Sequence, residues 1–503
     1  MRHPALNGIL ILPVLLLVLA CSREEESEAA GTTMETPDVA MGMPVTTSSD
    51  KARSHFLIGL HILDVGRFDD ARPHFEQAVA ADPQFASAYL ALANASNSID
   101  EFKHNVELAS QHAGGASEAE RLFIEIARHG FDGDFDAQLG AAHRLVEVLP
   151  SSPRSWMTLA GVQSAMGNEQ EARTSLRRAT EVEPAFAPAY LALGNSYLNE
   201  PRDLAGAQQA IERAVQLEPD EAFPHDLLGD AYRAQGNLEK AAEEYTRTAE
   251  LDTRTGNGFQ QRGHVHSFLG NYAQARSDYD AAIALERGKN NQPAFGVYRA
   301  LVSVHEGDPR AAVKDLETLV GAIDALGIPE PRGNKIFTLE TIRDVALHND
   351  MVPEAAWAIE RRNALLTEQV EQIGTEAARR DARAEMTLDE GRLAAMRRDY
   401  ETATRKANEA MAILEPSTDP QKNEAAHTLL GLLSLEQGDY DEAAAHFAQG
   451  DPDDPYVAYH HGLALEGAGK AEEARAQYQK VVDYNFNTPG LAMVRREAIE
   501  KLR

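Results

Sequence analysis

The amino-acid sequence predicts an all-α protein: a solenoid of helix pairs closed by a C-terminal capping helix. Three observations predict it. Small residues return at a near-constant interval, with Ala172, Ala207, Ala241 and Ala275 separated by 35, 34 and 34 residues. Around them, apolar residues such as Tyr190, Leu193 and Tyr197 recur at three- and four-residue spacing, which lines one face of a helix. Glycines and prolines punctuate the pattern at fixed places. One pair of this length cannot bury its own apolar face, whereas stacked neighbours can, so the array is the folding unit.

The chain opens on residues 1–20, a short positive start at Arg2 and an apolar run from Gly8 to Ala20 broken only by Pro13. That run is too short to span a bilayer comfortably and suits the core of a secretory signal. It ends in Val18-Leu19-Ala20-Cys21, and Cys21 is the only cysteine of 503 residues. These residues resemble the lipobox of bacterial lipoproteins. The resemblance implies cleavage before Cys21 and acylation of both its thiol and its new amino terminus, and several acyl chains make stable anchoring. An ordinary cleaved signal with an incidental cysteine is the alternative. Ser22 in place of aspartate implies, by the same resemblance, the outer membrane facing the periplasm. Glu24-Glu25-Glu26 is similar to the acidic tract that sends some lipoproteins to the cell surface, so the residues leave the displayed face open. Residues 21–50 read as the lipidated cysteine and a flexible acidic tether, rich in Glu, Ser, Thr, Gly and Pro. Such a tether reaches about 30 Å as a flexible chain.

Residues 51–287 form an N-terminal array. "IGLHILDVGRFDDARPHFEQAVAADP" carries Gly59, Ala71, Phe75, Ala78 and Pro83. "LAGVQSAMGNEQEARTSLRRATEVEP" repeats the spacing with Ala160, Ala172, Leu176, Ala179 and Pro184. The next copy has one extra residue and runs through Gly194, Ala207, Ile211, Ala214 and Pro219. Two more stand on Gly229, Ala241 and Tyr245 and on Gly263, Ala275 and Tyr279. The period and these residues resemble the tetratricopeptide repeat. The resemblance implies a right-handed superhelix whose inner groove is lined by first-helix residues. Each element also has a local cause. Gly194 lets the second helix approach, with Ala207 as its small counterpart. Gly66, Gly167, Gly236 and Gly270 stop first helices, and Pro83, Pro184 and Pro219 end second ones.

Ala71 and Ala172 lie 101 residues apart, so two degenerate repeats are expected near 86–152. Residues 288–396 read as an irregular helical region, and Glu354 to Met396, without a proline, as long helix. The pattern returns over 397–488 on Ala403, Ala443 and Ala474. Residues 489–503 read as the capping helix, with Leu491, Val494, Ala498 and Leu502 inward and Arg495, Arg496, Glu500 and Lys501 outward.

Composition bounds the function. A net charge of −31 repels phosphate backbones and disfavours nucleic-acid binding. One cysteine excludes an intramolecular disulfide and a cysteine-based zinc site. Asp132, Asp134 and Asp136 resemble the start of a calcium loop, but Ala137 and His143 stand where that loop needs Gly and Glu, so an inter-helix turn is expected. "GAGK" at 467–470 lacks the glycine and hydroxyl residue of a phosphate loop, as Ala464 and Ala471 replace them. His264 and His266 are two apart on a helix and point to different faces, a poor metal site. No HExxH, no GxSxG and no strand alternation is present, so neither a catalytic residue, a metal nor a cofactor is expected.

The residues beside the packed face of first helices are Asn195, Asn199, Asp226, Asp230, Arg233, Gln260, His264 and Phe268. They are candidates for a groove that binds a protein or peptide, with an ordinary solvated face as the alternative. Asp226 and Asp230, four apart on one helix face, favour a basic partner. Relatives that clamp the acidic tails of chaperones carry lysines where Leu191 and Phe223 stand here, which argues against that ligand. The function expected is a membrane-anchored scaffold for protein–protein interactions in the bacterial envelope, with envelope, pilus or outer-membrane assembly as its narrower form and a lipid anchor as its only membrane contact. The alternative is an enzyme or carbohydrate-binding protein with a site in 288–396.

Overall fold

The structure, a computed structural model, describes residues 42–503 apart from 97 and 200. Cys21, the signal segment and most of the tether lie outside the described residues. Among those described there are 25 α-helices and no strand. They form two compact units. One comprises the described residues up to Tyr232 with Glu250–Asp252, the other Arg233–Ala249 with Thr253–Arg503.

The first unit holds α1 (Asp50–Asp64), α2 (Phe68–Ala81), α3 (Ala86–Asn94), α4 (Ile99–His112), α5 (Glu118–Asp132) and α6 (Phe135–Val148). It continues with α7 (Pro153–Ala165), α8 (Glu169–Val182), α9 (Ala187–Leu198) and α10 (Leu204–Leu217). The unit boundary falls inside α11 (Ala222–Ala234). The two pairs α3/α4 and α5/α6 occupy the stretch where two degenerate repeats were expected.

The second unit runs through α12 (Leu238–Leu251), α13 (Asn257–Phe268), α14 (Tyr272–Leu285), α15 (Gln292–Glu306), α16 (Pro309–Ala322), α17 (Pro331–His348) and α18 (Val352–Ile373). It ends with α19 (Glu376–Met396), α20 (Tyr400–Leu414), α21 (Glu424–Gln437), α22 (Tyr440–Phe447), α23 (Pro455–Gly467), α24 (Ala471–Asp483) and α25 (Pro489–Leu502).

One register explains the pairing. A Cβ added at Gly59 would stand 2.7 Å from the Phe75 ring, and at Gly431 2.9 Å from the Phe447 ring. At Gly263 it would stand 3.0 Å from the Tyr279 ring. At Gly194 the intruder would be closer still than at these three, against Ile211 Cγ1, with the Ala207 carbonyl oxygen at 3.3 Å. The first-helix glycine is thus the socket for a large second-helix side chain sixteen or seventeen residues later. The alanines beside it are closed off in the same way: Ala71, Ala207, Ala241, Ala275, Ala403 and Ala443 are fully buried. Where α7 must stop, Gly167 adopts φ +78°, a left-handed geometry that glycine takes without steric penalty. Pro184 follows α8 by two residues, as Pro219 follows α10.

Three expectations need correction. The stretch from Glu354 to Met396 is two helices. Gly374 closes α18 at φ +73°, and the Thr375 hydroxyl accepts from the Ala378 N–H to start α19. Next, Arg495 is buried rather than outward, because α25 packs against α15 and α17 as well as α23 and α24. Its guanidinium donates to the carbonyls of Val482 (2.9 Å) and Tyr484 (3.2 Å) and to Asn485 Oδ1 (3.2 Å). Burial lowers its pKa to about 10. Third, the end of the tether is not loose: residues 42–49 lie against the first unit. The region 288–396 is an integral part of the second unit, since α15 to α18 share one core with α22 to α25.

The decoy motifs resolve as turns. Gly133 caps α5 at φ +74° and Asp134 caps α6 through the Ala137 N–H. "GAGK" is the α23–α24 turn.

Candidate functional site

The expected groove residues fall in both units. In the first, Asn195 and Asn199 lie on and just after α9, and Asp226 and Asp230 on α11. Asn199 is exposed, its amide donating to the Asn195 carbonyl at 3.3 Å, while Asn195, Asp226 and Asp230 are half-buried. Leu191 is buried, and Phe223 packs on Gly66 in the α1–α2 turn, so both sites that lack lysine serve packing.

In the second unit, Arg233 and His264 meet the chain's own segment 484–488, between α24 and α25, and Gln260 and Phe268 lie on the same helix as His264. Arg233 is buried, donates to Gln261 Oε1 at 2.8 Å and lies 4.9 Å from the centre of the Phe486 ring. His264 is buried against Tyr279 and Asn487. Gln260 and His264 are 3.3 Å apart through their Nε2 atoms, and Phe268 carries the Arg495 guanidinium on its ring at 4.8 Å. His264 is therefore not an open groove residue, because the returning segment covers it. His266 keeps part of its ring exposed and stands 3.8 Å from Asp278.

A third arrangement escaped the sequence reading. Glu120, at the start of α5, is 2% exposed. Its Oε1 accepts from the Thr46 N–H (2.8 Å) and the Ser87 hydroxyl (2.9 Å). Its Oε2 accepts from the Thr46 hydroxyl (2.5 Å) and from Ser117, through both the N–H (2.9 Å) and the hydroxyl (2.7 Å). Burial alone would raise the Glu120 carboxyl, but the hydrogen bonds from Thr46 and Ser117 hold it below its ordinary value. Thr47 donates to Asp82 at 2.5 Å, and Met43 and Val45 pack on the core of α1 to α3. A Cβ at Gly42 would lie 3.6 Å from Ser152 Cβ, at the start of α7. Residues 42–47 thus run as a strap past the starts of α7 and α5 to the end of α2. The only local signal was the Ser117-x-x-Glu120 capping box, which marks a helix start and nothing more.

The region 288–396 contains a buried ionic knot. Asp389, fully buried, pairs with Arg392 (2.7 Å), Arg362 (3.3 Å) and Arg343 (3.4 Å). Glu385 meets the same three guanidiniums, at 3.1 Å for Arg343 and Arg392. Burial would raise the Glu385 carboxyl, yet Arg392, Arg343 and Arg362 hold it well below the usual range. The charges satisfy one another and tie α17, α18 and α19 together. Among the described residues no group of three or more His, Cys, Asp or Glu could hold a metal ion, and no helix is long and apolar enough to cross a membrane.

Comparison with known proteins agrees with the repeat register. Two family models described as "Tetratricopeptide repeat" match, one over residues 56–102 and 420–458, the other over 153–186, 225–254 and 257–289. The chain is 25% identical to anaphase-promoting complex subunit 3 of Schizosaccharomyces pombe over 235 residues, 46% of this chain and 34% of that one. It is 30% identical over 145 residues to the mouse (Mus musculus) protein O-mannosyl-transferase TMTC1, covering 28% of this chain and 15% of that one. The chain spans about a third or less of the length of these curated relatives. A crystal structure of PilW, described as a widely conserved type IV pilus biogenesis factor, aligns with a TM-score of 0.36 at 13% identity, covering 40% of this chain and 92% of that one. Fold, register and family matches agree that the matched residues are tetratricopeptide repeats.

Proposed function

We propose that this chain is a lipid-anchored scaffold of the bacterial cell envelope, held at the outer membrane facing the periplasm, that captures a protein or peptide partner on its repeats. Val18-Leu19-Ala20-Cys21 followed by Ser22 is the observation that carries the anchor. Asp226 and Asp230 on one face of α11 favour a basic partner. Assembly of pili or outer-membrane proteins is the narrower form of the same work. Support for a scaffold over a catalytic or sugar-binding site in 288–396 comes from α17 to α19, whose buried charges are engaged with one another.

Labelled-palmitate incorporation with membrane fractionation tests the anchor. Cys21→Ser is expected to abolish the label and move the protein to the soluble fraction with its helical spectrum unchanged. A Cys21→Ser variant that stayed in the membrane pellet would overturn the reading. Crosslinking and pull-down from native membranes then identifies the partner.

A further inference from the structure

The strap at Met43–Thr47 has the chemistry of a bound ligand that is covalently attached. It carries no charged side chain between Met41 and Ser49, belongs to no helix, and holds on through two apolar side chains and the donors of two threonines. The cap of α1 lies after it, at Ser49, whose hydroxyl accepts from the Ala52 N–H. That cap stays with α1 when the strap leaves.

We propose that the surface around Glu120 is a docking site for non-helical peptide segments that present an apolar side chain followed by threonine, and that Met43–Thr47 occupies it in cis until a partner's segment displaces it. This deepens the scaffold reading above and rests on it. Glu120 sets the specificity of this surface. Of the five hydrogen bonds described for this buried carboxylate, two come from Thr46. With the strap gone, a nearly inaccessible charge loses two donors, and a buried charge is costly unless its hydrogen bonds are made. The vacated site therefore favours whatever returns an N–H and a hydroxyl together. A threonine or serine within a peptide does so; a valine of the same shape does not. Asp82 faces the next residue, so the site repels acidic and phosphorylated segments and accepts neutral ones.

The test uses the full chain and a fluorescein-labelled peptide of residues 41–50, read by anisotropy. Val45→Asp with Thr46→Pro removes one apolar contact and both Thr46 donors, and so releases the strap. The peptide should bind this released chain at least ten-fold more tightly than the unaltered chain, where the strap competes. Placing valine at the peptide's Thr46 position should weaken binding at least ten-fold, as should Glu120→Gln in the released chain. Should Glu120→Gln lose its helical circular-dichroism spectrum, the valine peptide alone decides the specificity. In a Cys21→Ser background, Gly42→Cys with Ser152→Cys places the two thiols within disulfide reach. Oxidation by glutathione disulfide should lock the strap and block the peptide, and reduction should restore access. No binding to the released chain, or equal binding with the strap locked and free, overturns the proposal. A crosslinked partner that binds locked and released chains alike would leave the scaffold reading standing while this inference falls.

Discussion

Asn487 donates from Nδ2 to His264 Nδ1 at 3.0 Å, although 223 residues of chain separate them. The same amide donates to the Tyr279 hydroxyl at 3.2 Å, and its carbonyl accepts from His305 Nε2 at 3.1 Å. Burial keeps both imidazoles neutral, lowering His264 well below its ordinary value and His305 to about 4. Asn487→Ala would strand these buried groups and is expected to destabilise the second unit by about 2–3 kcal/mol. Denaturant unfolding checks it, and an unchanged midpoint refutes it. The lowered pKa values also set a direction with pH. The unfolded chain binds protons near the ordinary histidine value of 6.5 while the folded chain does not. Stability from this cluster is thus present at neutral pH and falls between about pH 6.5 and 4.

Gly194 is the tightest of the helix-pair sockets, because Ile211 of α10 fills the space a side chain would need. Gly194→Leu should overpack α9 against α10 and cost about 1–3 kcal/mol. On a solvated helix face the same change would instead raise helix propensity by up to about 1 kcal/mol. The sign of the shift in thermal midpoint separates the two.

Glu218 stands near Asp64 and Glu221, and burial followed by these two charges raises its carboxyl to about 7. Its Oε2 is buried without a hydrogen-bond partner, as suits a protonated acid. The folded chain holds this proton more tightly than the unfolded one, so the group stabilises the fold at acid pH and loses that contribution as pH rises from about 4.5 to 7. Glu218→Gln should stabilise the protein by about 1–3 kcal/mol at pH 8 and have little effect at pH 4. Equal effects at both pH values would refute the raised pKa.

Asp226→Lys with Asp230→Lys reverses the charge of one face of α11. Capture of the native partner should be lost at low salt with the helical spectrum intact, and wild-type affinity should weaken as salt rises. Unchanged affinity for the double mutant would move the binding surface away from α11.

Much of the fold was legible because the repeat encodes it locally. The glycine sockets, the alanines and the prolines each act on neighbours within one period, and the period counts them. The Gly374–Thr375 break was also written in the sequence, as a left-handed stop followed by a hydroxyl cap, but the lack of proline concealed it. The strap and the Asn487 latch were not legible. Glu120 lies 74 residues from Thr46, and His264 and His305 lie far from Asn487, so no period connects them. A Ser/Thr-rich stretch reads as loose chain unless its acceptor is known. The same limit applied to Arg495, whose helix gained a second packed side only when α15 and α17 returned to it.

Where the α1–α2 turn meets the start of α11, Phe223 sits over Gly66, and Arg154 of α7 grips Asp64 with a bond of 2.9 Å from its Nη1 to Oδ1. A linear stack in which each repeat touches only the next melts from its ends, one module at a time. These ties join modules far apart in order, so the first pair cannot fray without also breaking its hold on α7 and α11. The first unit should therefore lose structure in a single step, with its N-terminal amides as slow to exchange hydrogen as those at its middle.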